Sequence, residues 1–164
     1  MALNNLKDVL AHQIKDLYSA ETQLTSALPK MMEAASSSEL KEAFQKHLEQ
    51  TKKQVERLKQ AADTLGISTG GEKCKGMEGL IKEGEDLIKE HDKGDALDAA
   101  LIAAAQRVEH YEIAGYGSAC QFAETLGEMD VKKTLGETLD EEEKTDKHLT
   151  DIAQNTINKE AMRA

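Results

Sequence analysis

The stretch "RVEHYEIAGYG", residues 107–117, decides the fold. It lies inside "DAALIAAAQRVEHYEIAGYGSACQFAETLG", residues 98–127, which otherwise reads as a helix made for burial. An α-helix turns by about 100° per residue, so with Glu112 as origin Leu101, Ala105, Val108, Ala119, Ala123 and Leu126 fall within about 40° and Glu109 near 60°. Glu112 therefore stands at the centre of the apolar stripe, where a carboxylate needs a compensating partner.

The same test carries to the rest of the chain. Leu3, Leu10, Leu17, Leu24 and Met31 recur every seven residues, with Ile14 and Leu28 on the next row, which predicts a first helix over about 3–35 kinked by Pro29. Glu21 lies between Ile14 and Leu28 on that face, the counterpart of Glu112, and Tyr18 takes the position of Glu109. A last helix over about 130–159 has Val131, Leu135, Leu139, Leu149 and Ile152 on one side. Within its run "DEEEKTD", Glu142 points within about 20° of Leu135, Leu149 and Ala153, whereas Glu141 and Glu143 diverge by about 100°. Asp146 follows on the same face one turn later.

Ser36 with Glu39 resembles a capping box and opens a second helix over about 38–65. Its apolar row, Phe44, Leu48, Val55 and Ala62, places Thr51 where the last helix has Glu142. His47 and Glu49 lie at opposite edges, equal candidates to add a ligand. The glycine-rich "GISTGGEKCKG", residues 66–76, then breaks the pattern. Met77, Leu80, Ile81, Leu87 and Ile88 resume it in a short helix over about 76–91, and Asp95 can cap the helix that continues to about 126. Four long helices with one long crossover predict an all-α protein, a ferritin-like four-helix bundle in one domain over residues 1–164.

Composition agrees. Apolar residues make up 39% and charged residues 32%, with one Pro and no Trp, a helix-forming balance. The net charge of −10 and the lack of a basic cluster argue against nucleic acid and anionic membranes as partners, while cationic partners such as metal ions suit it. The N-terminal "MALNNLKDVL" lacks the marks of a signal peptide and no apolar run reaches spanning length, so a cytoplasmic protein with Cys74 and Cys120 as reduced thiols is expected.

Burying an unpaired carboxylate costs several kcal/mol against a total stability of about 5–15 kcal/mol. Glu21, Glu109, Glu112, Glu142 and Asp146 therefore need buried cations, shared protons or bound metal ions. No Lys or Arg falls at the centre of the stripes, Lys52 coming nearest, and an oxygen-rich ligand set suits iron or manganese. Tyr18, Tyr111 and Tyr116 flank the candidate site. The competing reading is a protonated or salt-bridged polar core layer without metal, or a bundle splayed so that these positions meet water.

"DLYSAETQL", "HLEQT", "DAALIAAAQRVEHYEIAGYG" and "EEEKTDKHLTDIA" together resemble the YciF-type bacterial stress proteins, a ferritin-like family distantly similar to rubrerythrins. The resemblance spans nearly the whole chain and implies a homodimer, a role in osmotic or oxidative stress and a di-iron site. Ferroxidase or peroxidase-like chemistry is what such a centre would perform in an enzyme, and the alternative is a non-catalytic helical dimer that protects or binds partners under stress, with a vestigial metal site. One departure is visible: the Glu-x-x-His pairs usual on the second and fourth helices of ferritin-like di-metal proteins are missing, since no His here lies three residues after a Glu.

Overall fold

A computed structural model describes residues 3–164. Asn5 starts the first helix by accepting the Asp8 N–H at 3.0 Å, so α1 runs Leu6–Ala34. Leu3, which the seven-residue repeat places within the helix, precedes it and is 55% exposed. The helix continues through Pro29 for one further turn. α2 (Ser38–Leu65) is capped by Ser37, whose hydroxyl accepts the Leu40 N–H, and not by the expected Ser36–Glu39 box. The N–H groups of Ser36 and Ser37 go instead to the buried carboxylate of Asp98, at 2.8 and 2.7 Å.

The crossover contains α3 (Lys75–Glu90), and its cap is Cys74, whose sulfur accepts the Met77 N–H. Cys74 Sγ also lies 2.9 Å from the Tyr111 hydroxyl, which donates to Asp16 Oδ2 at 2.8 Å. A Cβ on Gly76 would come within 2.6 Å of the Tyr111 ring, so only glycine lets the start of α3 seat this closely. Both cysteines are free and buried.

α4 covers Asp95–Thr125 with Gly94, not Asp95, as its cap residue, and α5 covers Met129–Ile152. A π-helical turn, Ala153–Ile157, joins α5 to the short α6, Asn158–Ala161. Five residues of α-helix would leave Ile157 about 140° away from Ile152, and the wider turn returns both to the core. α1 lies against α2 and α4 against α5, the pairs meeting through α2/α5 and α1/α4 contacts. At Gly115 an added Cβ would meet Leu17 Cδ2 at 2.8 Å, which marks a close α1–α4 approach. No described helix is long and apolar enough to cross a membrane.

The apolar interior is divided in two. One cluster gathers Leu24, Leu28, Leu40, Phe44, Leu101, Leu149 and Ile157, and the other Leu10, Ile14, Leu58, Ala119, Val131 and Leu135. Between them the helices contribute buried Glu21, His47, Thr51, Gln54, Glu109, Glu112, Thr138 and Glu142.

Candidate metal centre

All four helices of the bundle supply this layer. α4 provides Glu109 and Glu112, α5 Glu142 and α1 Glu21, each with no exposed surface, and α2 provides His47, 3% exposed. Donor atoms of His47, Glu109, Glu112 and Glu142 all lie within 4.8 Å of one another. Donors about 2.2 Å from one ion stand up to about 4.4 Å apart, so slight closure suffices for this group to share a cation. The imidazole sits between two carboxylates, with Nδ1 3.2 Å from Glu109 Oε1 and Nε2 3.6 Å from Glu142 Oε2.

The surrounding residues hold these groups in place. The Tyr116 hydroxyl donates to Glu21 Oε1 at 2.5 Å. The Gln54 amide donates to Glu142 Oε1 and, at 3.0 Å, to Glu141 Oε2. Arg57 forks onto the two oxygens of Glu141 at 2.7 and 2.9 Å, anchoring that chain at the bundle surface.

Electrostatics marks the layer as short of positive charge. Burial, reinforced by Glu142, lifts Glu21 and Glu109 well above the usual carboxylate range, and burial with Glu21 does the same to Glu112. Burial works to raise Glu142 as well, but His47, Glu109 and Gln54 outweigh it and hold that group below its ordinary value. Burial and Glu21 push Tyr116 upward, so its proton stays on the phenol as a donor.

Both oxygens of Glu109, both of Glu112, and Glu21 Oε2, Glu142 Oε2, His47 Nε2, Thr51 Oγ1 and Gln54 Oε1 are buried and make no well-formed hydrogen bond, the His47 approaches to Glu109 and Glu142 lacking the geometry for one. Folded proteins leave few such atoms, because each costs about 1–3 kcal/mol. Here every buried orphan side-chain atom among the described residues belongs to one layer. Among the described residues no Lys or Arg is buried there, and Lys52 is exposed. Oxygen donors with one imidazole fit iron or manganese.

Of the residues singled out in the sequence, Glu21, Glu109, Glu112, Glu142 and His47 come together. Glu49 does not: its side chain is exposed and accepts from Gln45 at 3.1 Å. Asp146 is also outside, bonded to Gln106 at 3.2 Å and to His110 Nε2 at 3.2 Å. Four residues after Glu142 means a further rotation of about 40°, which carries Asp146 to the α4 flank. Gln54 escaped notice, although a 4-3 spacing through Leu40, Phe44, His47, Thr51, Gln54, Leu58, Ala61 and Leu65 runs along the buried face of α2. That spacing was the available signal for both His47 and Gln54.

Comparison with known proteins gives consistent results. A model of the family described as "Domain of unknown function (DUF892)" matches residues 5–162. The chain is 48% identical over 162 residues to Protein YciF of Escherichia coli (strain K12), covering 98% of each. The crystal structure of the E. coli stress protein YciF superposes with a TM-score of 0.92 at 47% identity, over 96% of this chain and 99% of that one. YcfI from Rhodopseudomonas palustris gives 0.87 at 43% identity, over 90% and 94%. A protein from Xanthomonas campestris pv. campestris, 18% identical, shares the fold at 0.77 over 97% and 98%. With family model, full-length identity and fold in agreement, the chain belongs to the DUF892 family of YciF-type stress proteins.

Proposed function

We propose that this stress protein binds iron or manganese in the polar layer, with Glu21, His47, Glu109, Glu112 and Glu142 as ligands. The observation that carries the reading is the set of partnerless buried atoms confined to that layer. Cations at these positions would satisfy the carboxylate oxygens and the imidazole nitrogen together, and would replace the protons that burial otherwise forces onto Glu21, Glu109 and Glu112.

Iron bound here would supply one-electron chemistry toward oxygen or peroxide, so ferroxidase or peroxidase-like turnover is the activity to look for. The chain's own contribution is to supply oxygen ligands, to orient Glu21 through Tyr116 and Glu142 through Gln54, and to keep bulk water out with two apolar clusters. The test is metal analysis after anaerobic loading with ferrous iron or Mn²⁺, repeated on Glu112→Ala and Glu142→Ala. Stoichiometric metal in the wild type and its loss in both variants is expected. A wild type that stays metal-free would leave the metal-independent protective role as the function.

A further inference from the structure

A small cavity lies beneath α3, where the crossover helix packs on α1 and α4. Leu24 and Met31 of α1, Ile81, Gly84 and Ile88 of α3, and Val108 of α4 line it. Its volume is about 20 Å³, slightly more than the about 10–15 Å³ that one water molecule needs. Every lining residue is apolar except Lys30 and Glu85, whose ion pair at 2.7 Å lies on the exposed side.

Gly84 gives an independent sign that this space is kept. It sits in the middle of α3 and is buried, yet a Cβ added there would meet nothing within 4 Å. Gly115, the other buried glycine among the described residues, has the opposite setting, since its Cβ would meet Leu17 Cδ2 at 2.8 Å. The backbone at Gly84 is not in the left-handed region and no neighbour presses on it, so neither asks for glycine. Glycine is also the poorest helix former after proline, and an alanine would both suit the helix and fill part of the void. What the missing side chain provides is room.

That room suits one class of occupant. A buried water needs about three polar partners, which the apolar inner wall lacks, and an ion there would lose its hydration without replacement. We propose that the cavity binds a small uncharged apolar molecule of the size of a diatomic gas, and that Gly84 keeps it open. A groove of about 350 Å³ borders the cavity at Lys30 and Ile88, which line both, and an exposed ion pair such as Lys30–Glu85 closes the mouth only weakly. Val108 immediately precedes Glu109, and Leu24 follows Glu21 by three residues, about 4.5 Å along the axis, so the cavity lies within a helical turn of the polar layer. Resting on the reading that the layer holds iron, the molecule it takes up is the oxidant: dioxygen, which enters apolar space, and not hydrogen peroxide, which would forfeit its hydrogen bonds there.

Methyl NMR of the full metal-free chain under xenon, an apolar probe of comparable size, tests the site. Saturable shifts are expected for Leu24, Ile81, Ile88 and Val108, and none for Leu58 and Val131 in the other apolar cluster. Gly84→Ala should weaken xenon at least about 3-fold and raise the melting temperature, because its methyl enters empty space. Gly84→Leu should abolish binding, and the smaller alanine change decides the matter if leucine prevents folding. A wild type without saturable shifts, equal shifts in both clusters, unchanged xenon affinity in Gly84→Ala, or a lowered melting temperature in that variant would overturn the site. The oxidant is tested by stopped flow on iron-loaded wild type and Gly84→Ala. Oxidation by dioxygen should slow severalfold in the variant, while oxidation by hydrogen peroxide should not change. Equal dioxygen rates would overturn dioxygen as the occupant. A chain that takes up no iron would defeat the metal reading and the oxidant assignment with it, whereas the xenon result stands on its own.

Discussion

Asp98 and Glu112 lie on the same helix, both without exposed surface. The first receives two backbone N–H groups, from Ser36 and Ser37, while neither oxygen of the second has a partner. One carboxylate is part of the framework: it fixes the entry to α2 and needs nothing further. The other is left incomplete by its own chain. Burial alone therefore does not mark a candidate ligand, whereas burial with unsatisfied oxygens does.

The contrast can be broken or sharpened by experiment. The largest effect expected is on adding metal, since an ion at about 1,000 times its Kd stabilises by about 4 kcal/mol. For a chain of this size that raises Tm by about 10 °C. Asp98→Asn should keep this gain and Glu112→Gln should lose it. An Asp98 variant that loses metal would erase the distinction.

Next in size, Asp98→Ala should lower stability by about 3 kcal/mol with or without metal, because it strands two N–H groups at the start of α2. Denaturant unfolding measures this. In the same assay metal-free Glu112→Gln should be neutral or stabilised by about 1 kcal/mol, since it removes a carboxyl group whose ionisation burial penalises.

The pH dependence has a definite sign. The folded values of Glu21, Glu109 and Glu112 are raised, so the folded state holds more protons than the unfolded one. Their stabilising effect is complete below the unfolded carboxylate value of about 4.3 and is lost as pH rises through the raised values. Metal-free protein should thus melt progressively lower as pH rises above about 4.3, with a shallower slope in Glu112→Gln. Metal-loaded protein should show the opposite trend, because protons compete with the ions. A rising melting curve for the metal-free form would contradict the assignment.

The smallest change is expected for Arg57→Ala. Its forked pair with Glu141 is partly exposed, so stability should fall by only about 1 kcal/mol or less. Metal affinity, reached through Gln54, should decline by about 10-fold. A large stability loss with unchanged affinity would show that this chain of bonds serves packing alone.

Much of this was legible in the sequence where a helix surrounded its carboxylate with aliphatic residues. Glu112, Glu21 and Glu142 stand out because leucine, isoleucine and alanine flank them on both sides. α2 was harder to read, since three consecutive core positions, His47, Thr51 and Gln54, are polar. The apolar row through Val55, which is only partly buried, drew the predicted centre aside and left His47 at an edge with Glu49. Asp146 shows the complementary limit, because i and i+4 share a face only to within about 40°. Its pairing with Gln106 and His110 depends on how α4 lies against α5. The resemblance to YciF-type proteins fixed the family and the fold, but the role of each α2 residue required the packed bundle.

The division of the interior into two apolar halves bears on the rate at which the molecule comes apart. Each half can close by ordinary hydrophobic contact, but ions in the layer would join residues as distant in sequence as Glu21 and Glu142, and only once all four helices have docked. Contacts that need all four helices in place are expected to form after the folding barrier. Bound metal should therefore slow unfolding while leaving refolding nearly unchanged, making the centre a lock on a finished structure, whose release sets the lifetime of the native state.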